Sequence, residues 1–185
     1  AKQANKVPLE MVYDIMLEQE GRAIIYYPSF NYSYENLDHI YQLMQHRNTV
    51  NSLSDGGAHC NYICDVSLPT FMLTHWTKGR TRGPLLGLEH IVKRQTLDTA
   101  QVYGLHDRGL LKVGYKADLN VIDPDALALH RPEFVHDLPA GGRRLVQRAE
   151  GYLATIVSGQ TIFENAQATG ALPGRVLRGS SKLAP

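Results

Sequence analysis

The spacing of apolar residues predicts three helices in the first part of the chain. Apolar residues recur every three or four positions over 8–21, and a proline opens this pattern at a first-turn position. The same spacing predicts a second helix over 35–46 and one long helix over 86–102. Gly21 and Gly104 follow the first and third patterns, as glycines that end helices do.

Short apolar runs predict strands between these helices and after them. Ala23–Tyr27 is such a run, ended by a proline, and Thr49–Ser54 is another that stops at Asp-Gly-Gly. Four later runs are rich in β-forming residues, at 109–111, 118–123, 152–157 and 161–163. Ser158 and Gly159 separate two of these runs and predict a hairpin turn.

These patterns divide the chain into two domains and a tail. We expect an α/β part over 1–106, a β part over 107–179 and a loose tail over 180–185. The stretch 60–82 is rich in threonine, proline and aromatic residues and is predicted to be irregular. An α/β fold class follows for the chain.

Composition narrows the function classes. Hydrophobic residues make up 43% of the 185 residues, charged residues 20%, and the net charge is +1. Because no basic stretch or long apolar run is present, neither nucleic acid nor a membrane is an expected partner. Two cysteines do not form a disulfide framework, which favours a cytoplasmic setting. The first residue is not methionine, which is typical of a processed end or a segment of a longer protein.

Asp55 is the principal candidate for chemistry. It follows a predicted strand, where barrel enzymes place catalytic groups, and two glycines follow it and leave room for a sharp turn. Such an aspartate can bind a metal, orient water or carry protons. The alternative is an ordinary turn-forming or helix-capping aspartate.

His59 and the two cysteines are weaker candidates. His59 lies four residues after Asp55 and is a site residue or a polar surface group. Cys60 and Cys64 have no second pair nearby, so buried thiols are favoured over a zinc site.

The basic residues after His75 suggest a second chemistry. Arg80 and its neighbours form either a clamp for a substrate carboxylate or a solvated basic loop. His130, His136 and the Arg143-Arg144 pair lie far from Asp55 in sequence and are assigned to structure or an interface.

The run LEHIVKRQTLDTAQVYGLHDRGLLKVGYKADLNVIDPDAL resembles the C-terminal signature of the amidohydrolase superfamily. The matching positions are Thr96, Ala100, Gly104, Leu105, Gly109, Gly114, Ala117, Asp118 and Asp123. Within that superfamily, LSDGGAH and the ending GYLATIVSGQTIFENAQATGALPGRVLRG resemble the N-acyl-D-amino-acid deacylase branch. The resemblance runs from about Pro8 to Gly179.

The resemblance implies a fold and a reaction. The chain would supply the last β/α units of a metal-dependent TIM-like barrel and strands of a small β-sandwich. Asp55 would take a proton from a zinc-activated water and deliver it to the leaving amine of a linear amide, and it is also a candidate metal ligand. His59 and Arg80 are the substrate-binding candidates. The other zinc ligands of the family have no counterpart in this chain.

Departures from the branch leave alternatives open. Many deacylases continue after Asp-Gly with Leu-Pro-His and a nearby arginine, whereas here Ala-His-Cys follows Gly57 and the first arginine after Asp55 is Arg80. A non-catalytic interaction module and a hydrolase of cyclic amides, similar to hydantoinases or dihydroorotases, are the alternatives. Since a partial barrel leaves strand edges unpaired, we expect a homo-oligomer or association with the missing N-terminal part.

Overall fold

The structure is a computed structural model that describes residues 1–51 and 54–178. Contacts divide the chain into two compact units, Ala1–Leu43 and Met44–Pro185. Within the second unit, the described residues change from helices to strands between Val102 and Leu119. The domain limits at 106 and 179 remain a prediction, and the predicted tail over 180–185 lies outside the described residues.

The first unit contains helix α1 (Pro8–Gly21) and most of helix α2 (Asp38–Gln45). Proline occupies the first turn of α1, as predicted, but the backbone leaves helical geometry at Glu18. At the start of α2, the Asn36 side chain accepts a hydrogen bond of 2.9 Å from the backbone N–H of Asp38. Both helices were expected from the apolar spacing and are confirmed.

The predicted strand over Ala23–Tyr27 is wrong. Residues 23–29 have no regular secondary structure, although their composition favours a strand. A strand requires a neighbour for its backbone hydrogen bonds, and the backbone N–H of Ala23 instead donates to the carbonyl of Glu18 in α1. The apolar side chains stay exposed, Tyr26 to 85%.

The second unit begins with more helix than the sequence indicates. Helix α3 (Leu68–Thr74) continues into one π-helical turn (His75–Gly79), inside the stretch predicted to be irregular. The predicted long helix is two helices, α4 (Leu88–Gln95) and α5 (Leu97–Val102). They are separated at Thr96, whose hydroxyl donates to the carbonyl of Val92 over 2.7 Å and competes with regular helix geometry.

The strand predicted over Thr49–Ser54 is not seen in the residues that the structure describes. Residues 49–51 and Ser54 have no strand geometry, while residues 52 and 53 lie outside the described part.

Within the part of the chain that the structure describes, eight strands follow the helices. They are β1 (Leu119–Ile122), β2 (Ala128–Leu129), β3 (Glu133–Leu138), β4 (Gly142–Val146), β5 (Ala149–Glu150), β6 (Tyr152–Val157), β7 (Gln160–Glu164) and β8 (Gln167–Ala168). An antiparallel sheet has the order β1-β6-β7-β8, and β2 pairs with β5 and β3 with β4. The β6–β7 hairpin turns at Ser158 and Gly159, as predicted, and both have positive φ. The predicted strand at 109–111 is wrong, since a Gly109 turn occupies it.

The core of the second unit lies between the helices and the first strands. Its buried apolar side chains are Met44, Leu73, Trp76, Leu86, Ile91, Ala100 and Leu127. Trp76 and Ile91 are the largest that are completely enclosed. No residue of β1, β6 or β7 is fully buried. The helices therefore have a core of their own, while the sheet is only partly covered by the residues that the structure describes.

Gly109 shows why the turn after α5 requires glycine. Its φ is +81°, and a Cβ atom there would lie 2.9 Å from the Cα of Leu97. Any side chain would collide with the backbone at the start of α5. This close approach fixes the connection between the helices and the strands.

Candidate functional site

Asp55 lies at the start of the loop that leads to α3. Its side chain is half-buried, and its Oδ1 accepts a hydrogen bond of 2.8 Å from the backbone N–H of Gly57. Beside it, the hydroxyl of Ser54 donates to the carbonyl of Val66 over 2.7 Å, which closes the base of the loop. Among the described residues, the second oxygen of the Asp55 carboxylate accepts no hydrogen bond. This contact with the backbone two residues on is an Asx turn, as the turn-forming alternative for Asp55 predicts, and it leaves the second carboxylate oxygen available.

The two glycines after Asp55 have a different role from the one expected. Neither Gly56 nor Gly57 has a positive φ, so the turn does not depend on glycine's backbone freedom. A Cβ atom on Gly57 would lie 3.1 Å from the Oδ1 of Asp55, closer than most such contacts. Glycine at 57 thus keeps the space beside the carboxylate open.

His59 lies further along the same loop and is exposed. Its carbonyl accepts hydrogen bonds from the backbone N–H groups of Tyr62 at 3.0 Å and Ile63 at 2.9 Å, which form a single helical turn. Its ring is 5.2 Å from that of Tyr62. No hydrogen bond between described residues joins His59 to Asp55. The loop places the imidazole at its outer rim, in reach of solvent.

Contacts with the β3–β4 hairpin hold the far side of this loop. The backbone N–H of Leu145 in β4 donates to the carbonyl of Cys60 over 2.7 Å. The Ser67 hydroxyl donates to the side-chain carbonyl of Gln147, just after β4. The strand-rich part of the unit therefore positions the loop that carries Asp55.

Cys60 and Cys64 are free, half-buried thiols. Burial raises the pKa of the Cys64 thiol, and the negative charge of Asp65 raises it further. A thiol that resists deprotonation is a poor nucleophile and a poor metal ligand at neutral pH. This environment agrees with a packing role for Cys64.

Arg80 is held against the core at the end of the π-helical turn. It is 8% exposed, and its guanidinium lies 4.8 Å from the centre of the Trp76 ring. Its Nε donates to the carbonyl of Arg82. Burial lowers the pKa of His75, and the nearby charge of Arg80 lowers it further. The solvated-loop alternative is therefore wrong for Arg80, because its guanidinium is buried against an aromatic ring.

A polar cluster that the sequence did not reveal joins Thr49, six residues before Asp55, to helices α4 and α5. Arg94 of α4 is 7% exposed and donates from Nη2 to the hydroxyl of Thr49 over 2.8 Å. Its Nη1 lies 3.5 Å from a carboxylate oxygen of Asp98, one helical turn away. The Arg-x-x-x-Asp spacing was a signal for this ion pair. The contact of Arg94 with Thr49 had no such signal, because the two residues are 45 positions apart in sequence. This cluster ties the segment before Asp55 to the helices.

The described residues do not form a metal centre. Within 1–51 and 54–178, no group of three or more histidine, cysteine, aspartate or glutamate side chains could hold a metal ion. A catalytic zinc normally takes three protein ligands. The side chains described around Asp55 therefore do not fit zinc on their own.

No helix in the described residues has the length and apolar character needed to cross a membrane.

Comparison with known proteins places the chain in a family. The model of the amidohydrolase family matches residues 8–163. An N-acyl-D-aspartate deacylase of Alcaligenes xylosoxydans xylosoxydans is 32% identical over 97 residues, which is 50% of this chain and 17% of that protein. A D-aminoacylase of the same organism is 37% identical over 93 residues, again 50% of this chain and 17% of the relative.

The family model and the two relatives cover different shares of the sequences that they match. The aligned part spans less than a fifth of the length of either curated relative. No solved structure matches the chain. The family model covers well over half of the 185 residues, and the two relatives confirm the resemblance to deacylases. The chain belongs to the amidohydrolase family and resembles its D-aminoacylase branch.

Proposed function

We propose that this chain is part of a hydrolase that cleaves a linear amide C–N bond in an N-acyl amino acid, with Asp55 as its proton-transferring residue. The amidohydrolase match over residues 8–163 supports a hydrolase. The observation that carries the role of Asp55 is its half-buried carboxylate, fixed at Oδ1 by the Gly57 N–H. A fixed carboxylate with an available oxygen has the arrangement that a general base requires.

The proposed mechanism uses Asp55 for two proton transfers. As water attacks the amide carbonyl, the second carboxylate oxygen of Asp55 takes a proton and a C–O bond forms. When the tetrahedral intermediate collapses, the same carboxyl group gives its proton to the amine nitrogen and the C–N bond breaks. The Gly57 N–H keeps the carboxylate oriented through both steps. Asp55 thus acts first as general base and then as general acid.

His59 and Arg80 are proposed to contact the substrate. The exposed imidazole of His59 lies on the same loop as Asp55 and can donate a hydrogen bond to an anionic group. Arg80 would pair with the substrate carboxylate through the fork of its guanidinium. Because that guanidinium stacks on Trp76, pairing requires its terminal nitrogens to face the substrate without leaving the ring.

We expect zinc in the intact enzyme, with Asp55 as a candidate ligand. The described residues offer no three-ligand set, so the proton transfers above are derived from Asp55 alone. A chelator provides the test, since removal of a catalytic metal abolishes turnover and its return restores it. Activity that is unchanged after exhaustive chelation and metal analysis would remove zinc from the proposal.

We propose that helix α1 packs against another chain or another segment of the enzyme. Helix α1 has no buried residue, and its Leu9, Tyr13 and Met16 side chains are 79%, 64% and 54% exposed. Exposed apolar surface of this kind marks contacts with other polypeptides. A homo-oligomer, or the missing N-terminal part of the enzyme, would cover it in the cytoplasm. Light scattering that shows a stable monomer with this surface exposed would oppose the proposal.

Two alternative functions remain, and an assay with two classes of substrate separates them from the proposal. The lack of a three-ligand set among the described residues favours a non-catalytic interaction module as the second candidate. A hydrolase of cyclic amides is the third. The intact protein is incubated with N-acetyl amino acids of both configurations and, separately, with hydantoin and cyclic imides. Release of free amino acid supports the proposal, ring opening supports the third candidate, and no turnover of either class by metal-loaded protein supports the second.

A further inference from the structure

Part-buried polar contacts from α4 and α5 hold Thr49 and Asn51, which precede Asp55 in the chain. Arg94 donates to the hydroxyl of Thr49 over 2.8 Å. The hydroxyl of Thr99 lies 3.2 Å from the carbonyl of Asn51 and 2.9 Å from that of Arg94, so its single proton is shared between them. Thr49 and Asn51 precede Asp55 by six and four residues. Both contacts bind a loop-like segment to helices, which are more rigid than loops.

The Arg94 side chain is itself held in place. The side chains of Arg94 and Asp98 are 9% and 16% exposed, and their charged groups lie 3.5 Å apart. Burial alone would raise the pKa of Asp98, but hydrogen bonds and positive charge from Lys93 and Arg94 lower it, so the carboxylate is ionised at neutral pH. A buried ion pair often stabilises a fold no more than apolar residues of similar volume. Its more specific effect here is to fix the direction of the guanidinium towards Thr49.

Asp55 therefore lies between two anchors. At its base, the loop is fixed by Ser54, the residue before Asp55, which donates to the carbonyl of Val66; further along, Leu145 donates to the carbonyl of Cys60. Ahead of the loop, Arg94 and Thr99 hold Thr49 and Asn51. We propose that Arg94 is a positioning residue: held by Asp98, it fixes Thr49 and so sets the place of the Asp55 carboxylate. This inference rests on the proposed role of Asp55 in proton transfer.

Substitution of Arg94 in the intact protein tests this role through kinetics. Arg94→Met keeps an unbranched apolar stem and removes the guanidinium that contacts Thr49. The rate of hydrolysis of the best N-acetyl amino acid should fall in kcat by about 10- to 100-fold, because misplacement of a catalytic group by about 1 Å costs rates of that order. KM should stay within about threefold, because Arg94 does not touch the substrate. Arg94→Lys restores the charge beside Asp98 and should recover part of kcat.

Two control variants separate positioning from general stability. Ile91→Val lies on the same helix in the fully enclosed core and lowers stability without touching Thr49. Arg148→Met removes an exposed arginine whose partner is Glu133. Both should keep the native kcat. If Ile91→Val lowers kcat as much as Arg94→Met does at the same loss of melting temperature, the positioning role is refuted.

A double-mutant cycle tests the named contact. Thr49→Val removes the hydroxyl that accepts from Arg94 at nearly constant volume. If the two residues act through their shared hydrogen bond, the Arg94→Met/Thr49→Val variant loses little more kcat than Arg94→Met alone. Fully multiplicative losses would contradict the contact as the route.

Hydrogen exchange decides the inference independently of catalysis. In Arg94→Met, the amides of the loop over 54–63 should exchange faster, while those of β6 and β7 keep their native rates. Equal acceleration throughout the second unit, or native exchange in the loop, would overturn the inference. Asp55→Asn is assayed beside these variants. Full activity in Asp55→Asn removes the proposed function, yet the exchange data still show whether Arg94 holds the loop.

Discussion

The most sharply defined stability prediction concerns Trp76, which joins the helices of the second unit to the expected substrate arginine. Trp76 is 1% exposed, and its backbone carbonyl accepts from the N–H of Leu86 over 2.8 Å. The ring of His75 meets it edge-on at 5.0 Å, and Arg80 lies over its face at 4.8 Å. Its removal therefore affects both the core and the residue proposed to bind substrate.

The expected magnitude follows from these contacts. Replacement of a buried tryptophan by alanine costs roughly 3–5 kcal/mol through lost burial and the cavity that remains. The contact of Arg80 with the ring contributes about 0.5–2 kcal/mol of stabilisation that alanine also removes. Since domains are stable by only about 5–15 kcal/mol, Trp76→Ala should lose roughly a quarter or more of that free energy. Trp76→Phe keeps an aromatic face and should lose about half as much.

Urea denaturation followed by far-ultraviolet circular dichroism measures this effect. Circular dichroism is required because Trp76 is the only tryptophan in the sequence, so its fluorescence is lost in the variants. Tyr62→Ala serves as the control, since that aromatic side chain is 66% exposed and should change stability by less than about 0.5 kcal/mol. A loss below about 1 kcal/mol in Trp76→Ala would refute the assignment of Trp76 to the centre of the core.

Two further predictions concern pH and a glycine. Because burial and then Arg80 lower the pKa of His75, the unfolded chain binds a proton there more readily than the folded chain. The free energy of unfolding should therefore be at its full value above about pH 6.5 and fall as the pH drops below it. His75→Gln should weaken this pH dependence of the urea midpoint. Substitution of the exposed His136 by glutamine is the control and should leave the dependence in place. Gly109→Ala should lose about 1–3 kcal/mol more than Gly104→Ala in urea titrations, because both have positive φ but only Gly109 faces a close backbone atom. Equal losses would exclude the contact with Leu97.

Local patterns predicted the parts of the fold that depend on local contacts. The apolar spacing and first-turn proline correctly gave α1, and the β-forming run from Tyr152 with Ser158-Gly159 after it gave the β6–β7 hairpin. The run Ala23–Tyr27 has equally strong strand composition but lies outside any sheet. Composition reports what a segment can form, whereas a strand also needs a partner that the local sequence does not specify.

The candidate site was predictable where one residue carried the signal. Asp55 was proposed from the residues before and after it and stays a prediction, while its hydrogen bond with Gly57 and the space that Gly57 leaves beside it became visible only in the structure. The contact of Arg94 with Thr49 was missed because the two residues lie far apart in sequence. The anchoring of Cys60 by Leu145 was missed for the same reason. Long-range polar contacts between a loop and a scaffold leave no periodic trace in the sequence.

The central claim is that the carboxylate of Asp55 transfers the protons in amide hydrolysis. Its most direct test is the kcat of Asp55→Asn in the intact, metal-analysed protein, with N-acetyl amino acids as substrates. Asparagine preserves the shape and can still accept the Gly57 hydrogen bond, but it cannot take a proton. We predict that kcat falls by at least about 100-fold, with an unchanged fold by circular dichroism. A kcat within about threefold of the native value would contradict the account.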